Sequence, residues 1–469
     1  MRTYHLDAAL KMPLYEQLYR AIRQDIMSGA FASGERLPSK RRLAEHLKVS
    51  QITVETAYSQ LLAEGYVISK PRSGYYVQKF ERITPALTVP HVYLPEKQPE
   101  YKCRYDFKTN IVDTDCFPFA TWARLLRSEL TDRASLLLEA APPQGVPALR
   151  EEICRYLAEF RGIFVQPEQV IVGAGSEYLL NLVIQLLGRE RIYSLENPGY
   201  PKLDQIFRAG GAQVTPIELD HSGLRVDLLK KSAASVVYLT PSHHFPLGVV
   251  MSAARRMAVL QWAGEREDRY IIEDDYDSEF RYASRPIPAM KEMDHEDRVI
   301  YLNTFAKSLA PSLRIGYMVL PNRLLGTFQS RFGFYSSTVP SFEQYTLAKF
   351  LSTGSFERHV SRIRNLYKVR RDALLAALRQ SSLAPIMHIS GAEAGLHILL
   401  ALRSGMSETQ MVESAKREGV RVYGLSAYYI ADQERCPPST VILGYAGISR
   451  EAVEGAVSCL ERAWCRENQ

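Results

Sequence analysis

Apolar residues first recur with a helical period. Leu14, Leu18, Ile22 and Ile26 follow one another every four positions behind Pro13, which predicts an amphipathic helix that Gly29 ends. Ser39 is placed to cap a short second helix with Leu43 and Leu47 on one face. After the Val49-Ser50 turn, Ser50 caps a third helix that turns Val54, Ala57 and Leu61 inward and stops at Gly65. Two β-rich runs, Tyr66 to Ser69 and Tyr75 to Gln78, flank the basic turn Lys70-Pro71-Arg72-Ser73-Gly74 and read as a hairpin. The predicted order is a helix, a helix-turn-helix and a two-stranded wing, over residues 1–79.

Residues 80–105 show neither period and carry Pro85, Pro90, Pro95 and Pro99; they are expected to form a linker. From 106 to 469 the pattern changes to short, continuous apolar runs separated by helical stretches. The runs are Val170–Val172, Val236–Leu239, Tyr270–Ile272, Val299–Leu302 and Tyr317–Leu320. Such strands are buried on both faces, so the body is expected to be α/β with a mainly parallel sheet. A smaller α+β portion is expected over about 341–469.

Composition adds two constraints. Of the net charge of +6, most lies in residues 1–79, which hold 12 Lys and Arg against 7 Asp and Glu; this points to a polyanionic partner there. The side chains suited to nucleic acid are Ser39, Lys40, Arg41 and Arg42 at the second helix, Gln51 and Thr53 at the start of the third, and Lys70 and Arg72 in the wing. A dimerising helical domain is the alternative, and the one-sided basic chemistry weighs against it. The longest apolar runs fall short of the ~18 residues of a membrane span, and the N-terminus has no apolar leader, so a cytoplasmic location is expected. The six cysteines have no C-x-x-C spacing and suggest no metal site.

In the body, four stretches fall at strand ends, where α/β sheets bind ligands. Gly173-Ala174-Gly175-Ser176-Glu177 precedes a helix and suits a phosphate. Glu273-Asp274-Asp275-Tyr276 follows the run Tyr270-Ile271-Ile272, and a carboxylate there needs a cation: a protonated ring nitrogen or a structural arginine. Lys307 lies in Asn303-Thr304-Phe305-Ala306-Lys307, where desolvation would favour the neutral, nucleophilic amine; Thr304 and Arg314 are phosphate candidates. Tyr200, in Glu196-Asn197-Pro198-Gly199-Tyr200, could stack on a ring or fill the core. Together they match the needs of pyridoxal 5′-phosphate.

These stretches carry a resemblance over nearly the whole chain. Leu37-Pro38-Ser39-Lys40-Arg41-Arg42-Leu43-Ala44, Val49-Ser50-Gln51-Ile52-Thr53-Val54 and Glu64-Gly65-Tyr66 resemble the GntR family. The body, with Phe117-Pro118, Gly145 to Arg150, Tyr238 to Gly248 and Asp274 to Phe280, resembles fold-type I aminotransferases. The joined architecture resembles the MocR/GabR subfamily of transcription regulators. The resemblance implies that Lys307 is the Schiff-base lysine, that Asp274 meets the pyridine nitrogen, and that Tyr276 and Tyr200 lie at the cofactor's phenolic oxygen and ring. It further implies that Gly175, Ser176, Thr304 and Arg314 hold the phosphate. The partners implied are double-stranded DNA with paired half-sites, a second copy in a head-to-tail homodimer, an amine effector or the cofactor itself as signal, and RNA polymerase. The alternative is an active aminotransferase with an accessory DNA-binding head.

Several positions depart from the family pattern. Gln51 stands where an arginine is usual, and Ala306 where a serine is. No carboxylate-gripping arginine occurs near Ile442-Leu443-Gly444-Tyr445. Lys202 occupies the place where the GABA-sensing relative has an arginine. Lys202, His243 and His244 are the effector candidates; the two histidines either hydrogen-bond the cofactor or pack.

Overall fold

The computed structural model describes residues 2–79, 103–109, 111–282 and 288–465. The chain divides into two compact units, 1–98 and 99–469. Most of the expected linker, residues 80–102, lies outside the described residues.

The first unit is built of helices α1 (Leu14–Ser28), α2 (Lys40–Leu47) and α3 (Gln51–Ala63) and strands β1 (Val67–Lys70) and β2 (Gly74–Val77). The period-four stripe of α1 puts Leu18, Ile22 and Ile26 in the core, and Gly29 closes the helix at φ 79°, a left-handed conformation that glycine adopts without strain. Ser39 and Ser50 cap α2 and α3 by accepting from the N–H of Arg42 and Thr53. The wing pairs Val67 with Val77 through Lys70 with Gly74, antiparallel. Tyr58 is fully buried at the centre of this core. Its hydroxyl donates to the Pro38 carbonyl at 2.9 Å, and its ring meets Tyr75 edge-on at 5.1 Å, so one side chain ties α3 to the approach to α2 and to the wing.

The second unit centres on an eight-stranded sheet of β3 (Val170–Gly173), β4 (Ile192–Asn197), β5 (Gln213–Asp220), β6 (Gly223–Leu224), β7 (Val236–Leu239), β8 (Tyr270–Asp274), β9 (Val299–Thr304) and β10 (Gly316–Val319). The order across the sheet is β3-β10-β9-β8-β7-β4-β5-β6. All run one way except β10 and β6, which pair antiparallel with their neighbours. Alternation along each strand feeds cores on the two faces of the sheet. Ile171, Tyr238, Ile272, Leu302 and Met318 point to one helix layer; Val172, Tyr301, Tyr317 and Val319 face the opposite one, as do Val237 and Ile271. Three strands lie beyond the five apolar runs: β4 and β5, which Ser194, Glu196, Pro216 and Glu218 interrupt, and β6, which is only two residues long.

A four-stranded antiparallel sheet of β11 (Met387–Ser390), β12 (His397–Leu402), β13 (Tyr423–Gly424) and β14 (Thr440–Gly444), ordered β11-β12-β14-β13, forms the smaller portion. Two expected boundaries are corrected. The helix Ser341–Ser352 belongs to the large portion: its Leu347 and Phe350 share a core with Leu149 and Ile153. Residues 103–105 belong to the body rather than a linker, since Arg104 N–H donates to the Gly419 carbonyl and Tyr105 pairs with Val420. Phe107 then joins the smaller core, which is thus assembled from both ends of the unit.

Replacing Tyr58 by Phe should cost about 1 kcal/mol, one net hydrogen bond, whereas Tyr58→Ala should cost about 3–5 kcal/mol through the cavity it leaves. Urea denaturation of the full chain, followed by the far-ultraviolet signal and by DNA binding, checks both values.

Candidate functional site

Because β3, β4, β8 and β9 run in one direction, their carboxyl ends share one edge of the sheet. There they open on a cavity of about 260 Å³. Gly175, Ser176, Tyr200, Asp274, Tyr276, Thr304, Lys307 and Arg314, the eight cofactor candidates, all line it, as do Lys202 and Ala306.

The run Glu273-Asp274-Asp275 shows how strand alternation sorts chemistry. Glu273 accepts from the N–H of Met290 and Lys291, both at 2.8 Å. Asp275 takes the structural arginine, Arg161, at 2.8 Å and the Tyr301 hydroxyl at 2.6 Å. Asp274 points into the cavity and accepts from the Tyr238 hydroxyl. Burial pushes its carboxyl up to about 7; Tyr238 and Lys307 oppose that rise while Asp275 and Asp277 add to it. A cation brought against Asp274 would return it to the charged form.

Lys307 is pushed down to about 8 by burial, against the pull of Asp277 and Asp274. Its amine is therefore deprotonated far more readily than an exposed lysine's. Tyr276 lies 3.3 Å from His243 Nδ1, and the same nitrogen is 2.7 Å from Asp277 Oδ2. Tyr200 stands at the rim, edge-on to Phe245 at 5.8 Å.

At the other end, the helix Ser176–Leu187 begins at the cavity wall, so its first-turn N–H groups are available to an anion. Arg314 crosses this end. A Cβ on Gly175 (φ 84°) would lie 3.0 Å from the Arg314 guanidinium, so only glycine leaves that approach open. The Thr304 hydroxyl donates to the Ile315 carbonyl at 3.3 Å and accepts from Ala306 N–H at 3.2 Å; it braces the loop that carries Lys307. Glu177, not among the expected cofactor residues, also lines the cavity. It binds Lys202 through one carboxylate oxygen and Arg314 through the other, the latter at 3.2 Å.

Of the three effector candidates, Lys202 alone lines the cavity. His243 and His244 are buried behind it. His244, pushed down to about 3 by burial, is neutral and 3.7 Å from Glu196; His243 contacts Tyr276, which lines the cavity.

In the first unit the expected DNA-contacting residues divide by exposure. Arg41 is largely exposed and paired with Glu45 along its helix. Arg72 sits in the wing turn at φ 58°, and Lys70 lies over the Tyr76 ring. Lys40 is paired with Glu55 of α3 at 2.5 Å. Gln51 is exposed at the start of α3. Ser39 and Thr53 are engaged at helix caps, Thr53 Oγ1 lying 2.8 Å from Ser50 Oγ. Ile52, 74% exposed on the same turn, was not singled out by helical periodicity, because that pattern registers only residues turned inward. Its apolar surface is of the kind that contacts a thymine methyl.

A carboxylate, a partly neutral lysine and a glycine-lined anion end in one apolar-walled cavity suit a phosphorylated pyridine aldehyde, and the basic head suits duplex DNA. The fold and these two sites define a winged-helix DNA-binding module joined to a fold-type I aminotransferase domain. Residues 14–77 match the gntR family of bacterial regulatory proteins and residues 106–460 match aminotransferase class I and II. The chain is 40% identical to the HTH-type transcriptional regulator YdeL of Bacillus subtilis, over 98% of this chain and 99% of that protein. It is 34% identical to the probable rhizopine catabolism regulatory protein MocR of Rhizobium meliloti, over 98% and 95%. With the pyridoxine biosynthesis transcriptional regulator PdxR of Corynebacterium glutamicum it shares 31%, over 88% of each. Among solved structures, kynurenine aminotransferase of Pyrococcus horikoshii superposes with a TM-score of 0.67 at 27% identity, covering 78% of this chain and 92% of that one. The chain belongs to the MocR/GabR subfamily of GntR-type transcription regulators, with a pyridoxal phosphate-binding aminotransferase-like domain. Among the described residues no helix is long and apolar enough to cross a membrane.

Since the amine must be neutral to attack an aldehyde, the rate at which added pyridoxal phosphate becomes attached should rise about tenfold per pH unit below pH ~8 and level off above it. Stopped-flow absorbance across pH 6 to 10 measures the profile.

Proposed function

We propose that this protein is a regulator in which pyridoxal phosphate held at Lys307, alone or together with an amine effector, controls binding to promoter DNA. The observation that supports this reading is the convergence of eight side chains and backbone groups from four separate strand ends on a single cavity, with Asp274 buried and Lys307 partly buried there. When bound, the cofactor supplies an aldehyde that condenses with primary amines.

The chain's own residues do the rest. Lys307 Nζ, whose proton desolvation makes easier to lose, would be the attaching amine. Asp274, kept in place by the Tyr238 hydroxyl, holds a proton at the ring nitrogen. Tyr276, tethered to His243 and through it to Asp277, offers a hydroxyl toward the phenolic oxygen. Gly175, Ser176 and Arg314 take the phosphate, with Thr304 bracing the loop beside them. An amine effector would compete with Lys307 for the aldehyde, and that exchange is the signal. A head-to-tail homodimer presenting two heads would read paired half-sites, and RNA polymerase is the partner through which promoter occupancy acts. Such a protein works where the chromosome is, in the bacterial cytoplasm.

The absence of an arginine near Ile442-Leu443-Gly444-Tyr445 favours signalling over sustained amino transfer, because a substrate carboxylate has no bidentate partner there.

Lys307→Ala should abolish the near-visible absorbance band that appears when pyridoxal phosphate is added to the wild type. It should also remove any effect of the cofactor on promoter binding; a persisting band would overturn the attachment site. Arg41→Ala should weaken DNA binding and lower the slope of log K against log salt by about 0.9, the contribution of one phosphate contact, as read by titrations at several salt concentrations.

A further inference from the structure

We propose that Glu177 sets how strongly the anion end of the cavity discriminates in favour of a phosphate, by competing with that phosphate for Arg314. The inference rests on the cofactor reading above and concerns a residue that the reading leaves without a role.

Three charged groups meet at this end. Glu177 Oε2 lies 3.2 Å from Arg314 Nη2, while Oε1 holds the Lys202 ammonium. The same Arg314 nitrogen donates to the Ala174 carbonyl at 3.2 Å, and the guanidinium lies across Gly175. The arginine best placed to receive a phosphate therefore already has an anionic partner. The first-turn N–H groups of the helix Ser176–Leu187 and Arg314 would favour a dianion, but a carboxylate beside it repels it. Two cations and one carboxylate leave this cluster with a single net positive charge. Without the carboxylate there would be two.

Glu177 has somewhere else to go. Because its second oxygen is on Lys202, it can give up Arg314 without losing its ion pair, and the Lys202 bond is the main reason its carboxyl stays below the usual range. The side chains of all three groups are between 39% and 51% exposed, so the exchange needs no rearrangement of the core. Arg314 can therefore be held either by Glu177 or by a phosphate, with Glu177 retained by Lys202 in both cases. Lys202 is then a partner of Glu177 in both states, not a free cation for an effector carboxylate. The result is a cofactor affinity held below what Arg314 and the helix terminus could provide, which suits a site that must empty and refill.

The test compares pyridoxal phosphate with pyridoxal, which lacks the phosphate, on the full-length wild type and on the E177Q and K202M variants, by absorbance and intrinsic fluorescence titration. E177Q keeps the side-chain shape and removes the charge. It should bind pyridoxal phosphate about tenfold more tightly, an effect intermediate between fully screened and buried like charges, and bind pyridoxal as the wild type does. The gain should shrink as salt is raised. K202M, which leaves Glu177 with Arg314 alone, should bind pyridoxal phosphate several-fold more weakly, again with pyridoxal unchanged. An E177Q protein that binds pyridoxal phosphate no more tightly than the wild type overturns the proposal, as does a parallel shift for pyridoxal. If the wild type binds neither compound, the cofactor reading falls and this inference with it; an unchanged E177Q beside a wild type that does bind removes the inference alone.

Discussion

A partly buried amine and a buried carboxylate that share one cavity are the constraint on which the site depends. Either charge alone is costly away from water. Here burial moves Lys307 down to about 8 and Asp274 up to about 7, so a modest change in surroundings shifts the protonation of either. The surrounding groups keep that balance: Tyr238 holds Asp274, Thr304 braces the lysine loop, and Arg161 satisfies Asp275 so that it does not compete.

The parallel sheet makes this arrangement possible. Strands that run the same way deliver their carboxyl ends to one edge, so residues nearly 140 positions apart meet without long loops. Gly175 and Arg314 depend on this most, for the guanidinium fits across the glycine only because β10 returns antiparallel beside β3 and carries the loop after β9 with it. The first unit works differently. It is small and its stability rests on a few fully buried side chains, Tyr58 among them, while its exposed face is left to basic and reading residues.

Much of the candidate site was legible because its members are local. Lys307, Asp274 and Gly175 each stand just past an apolar run, and periodicity alone locates the end of a run. The winged helix was legible for the same reason: its stripes, caps and turn residues are all near neighbours. What stayed hidden depends on partners far along the chain. Asp274 and Asp275 look alike in sequence, and only pleating, with Arg161 arriving from another helix, separates the one facing the cavity from the one that is neutralised. For the effector candidates His243 and His244 the sequence left cofactor contact and packing both open, and the fold buries both histidines behind the cavity wall. Thr53 looked like a reading residue and is engaged with the cap of its helix.

The sequence by itself determined the two modules, the helical and strand periods within them, and the short stretches past the apolar runs from which the candidate amine, carboxylate and anion-binding turn are drawn. Those features follow from short-range steric and solvation preferences, which neighbouring residues express on their own. Tertiary structure alone decided which charges pair, as Glu177 with Lys202 and Arg314, where the smaller core gathers Phe107 from the opposite end of its unit, and which polar groups face the cavity. These depend on distances between residues that only folding brings within reach, and electrostatic energies fall steeply enough with distance and screening that no local pattern records them.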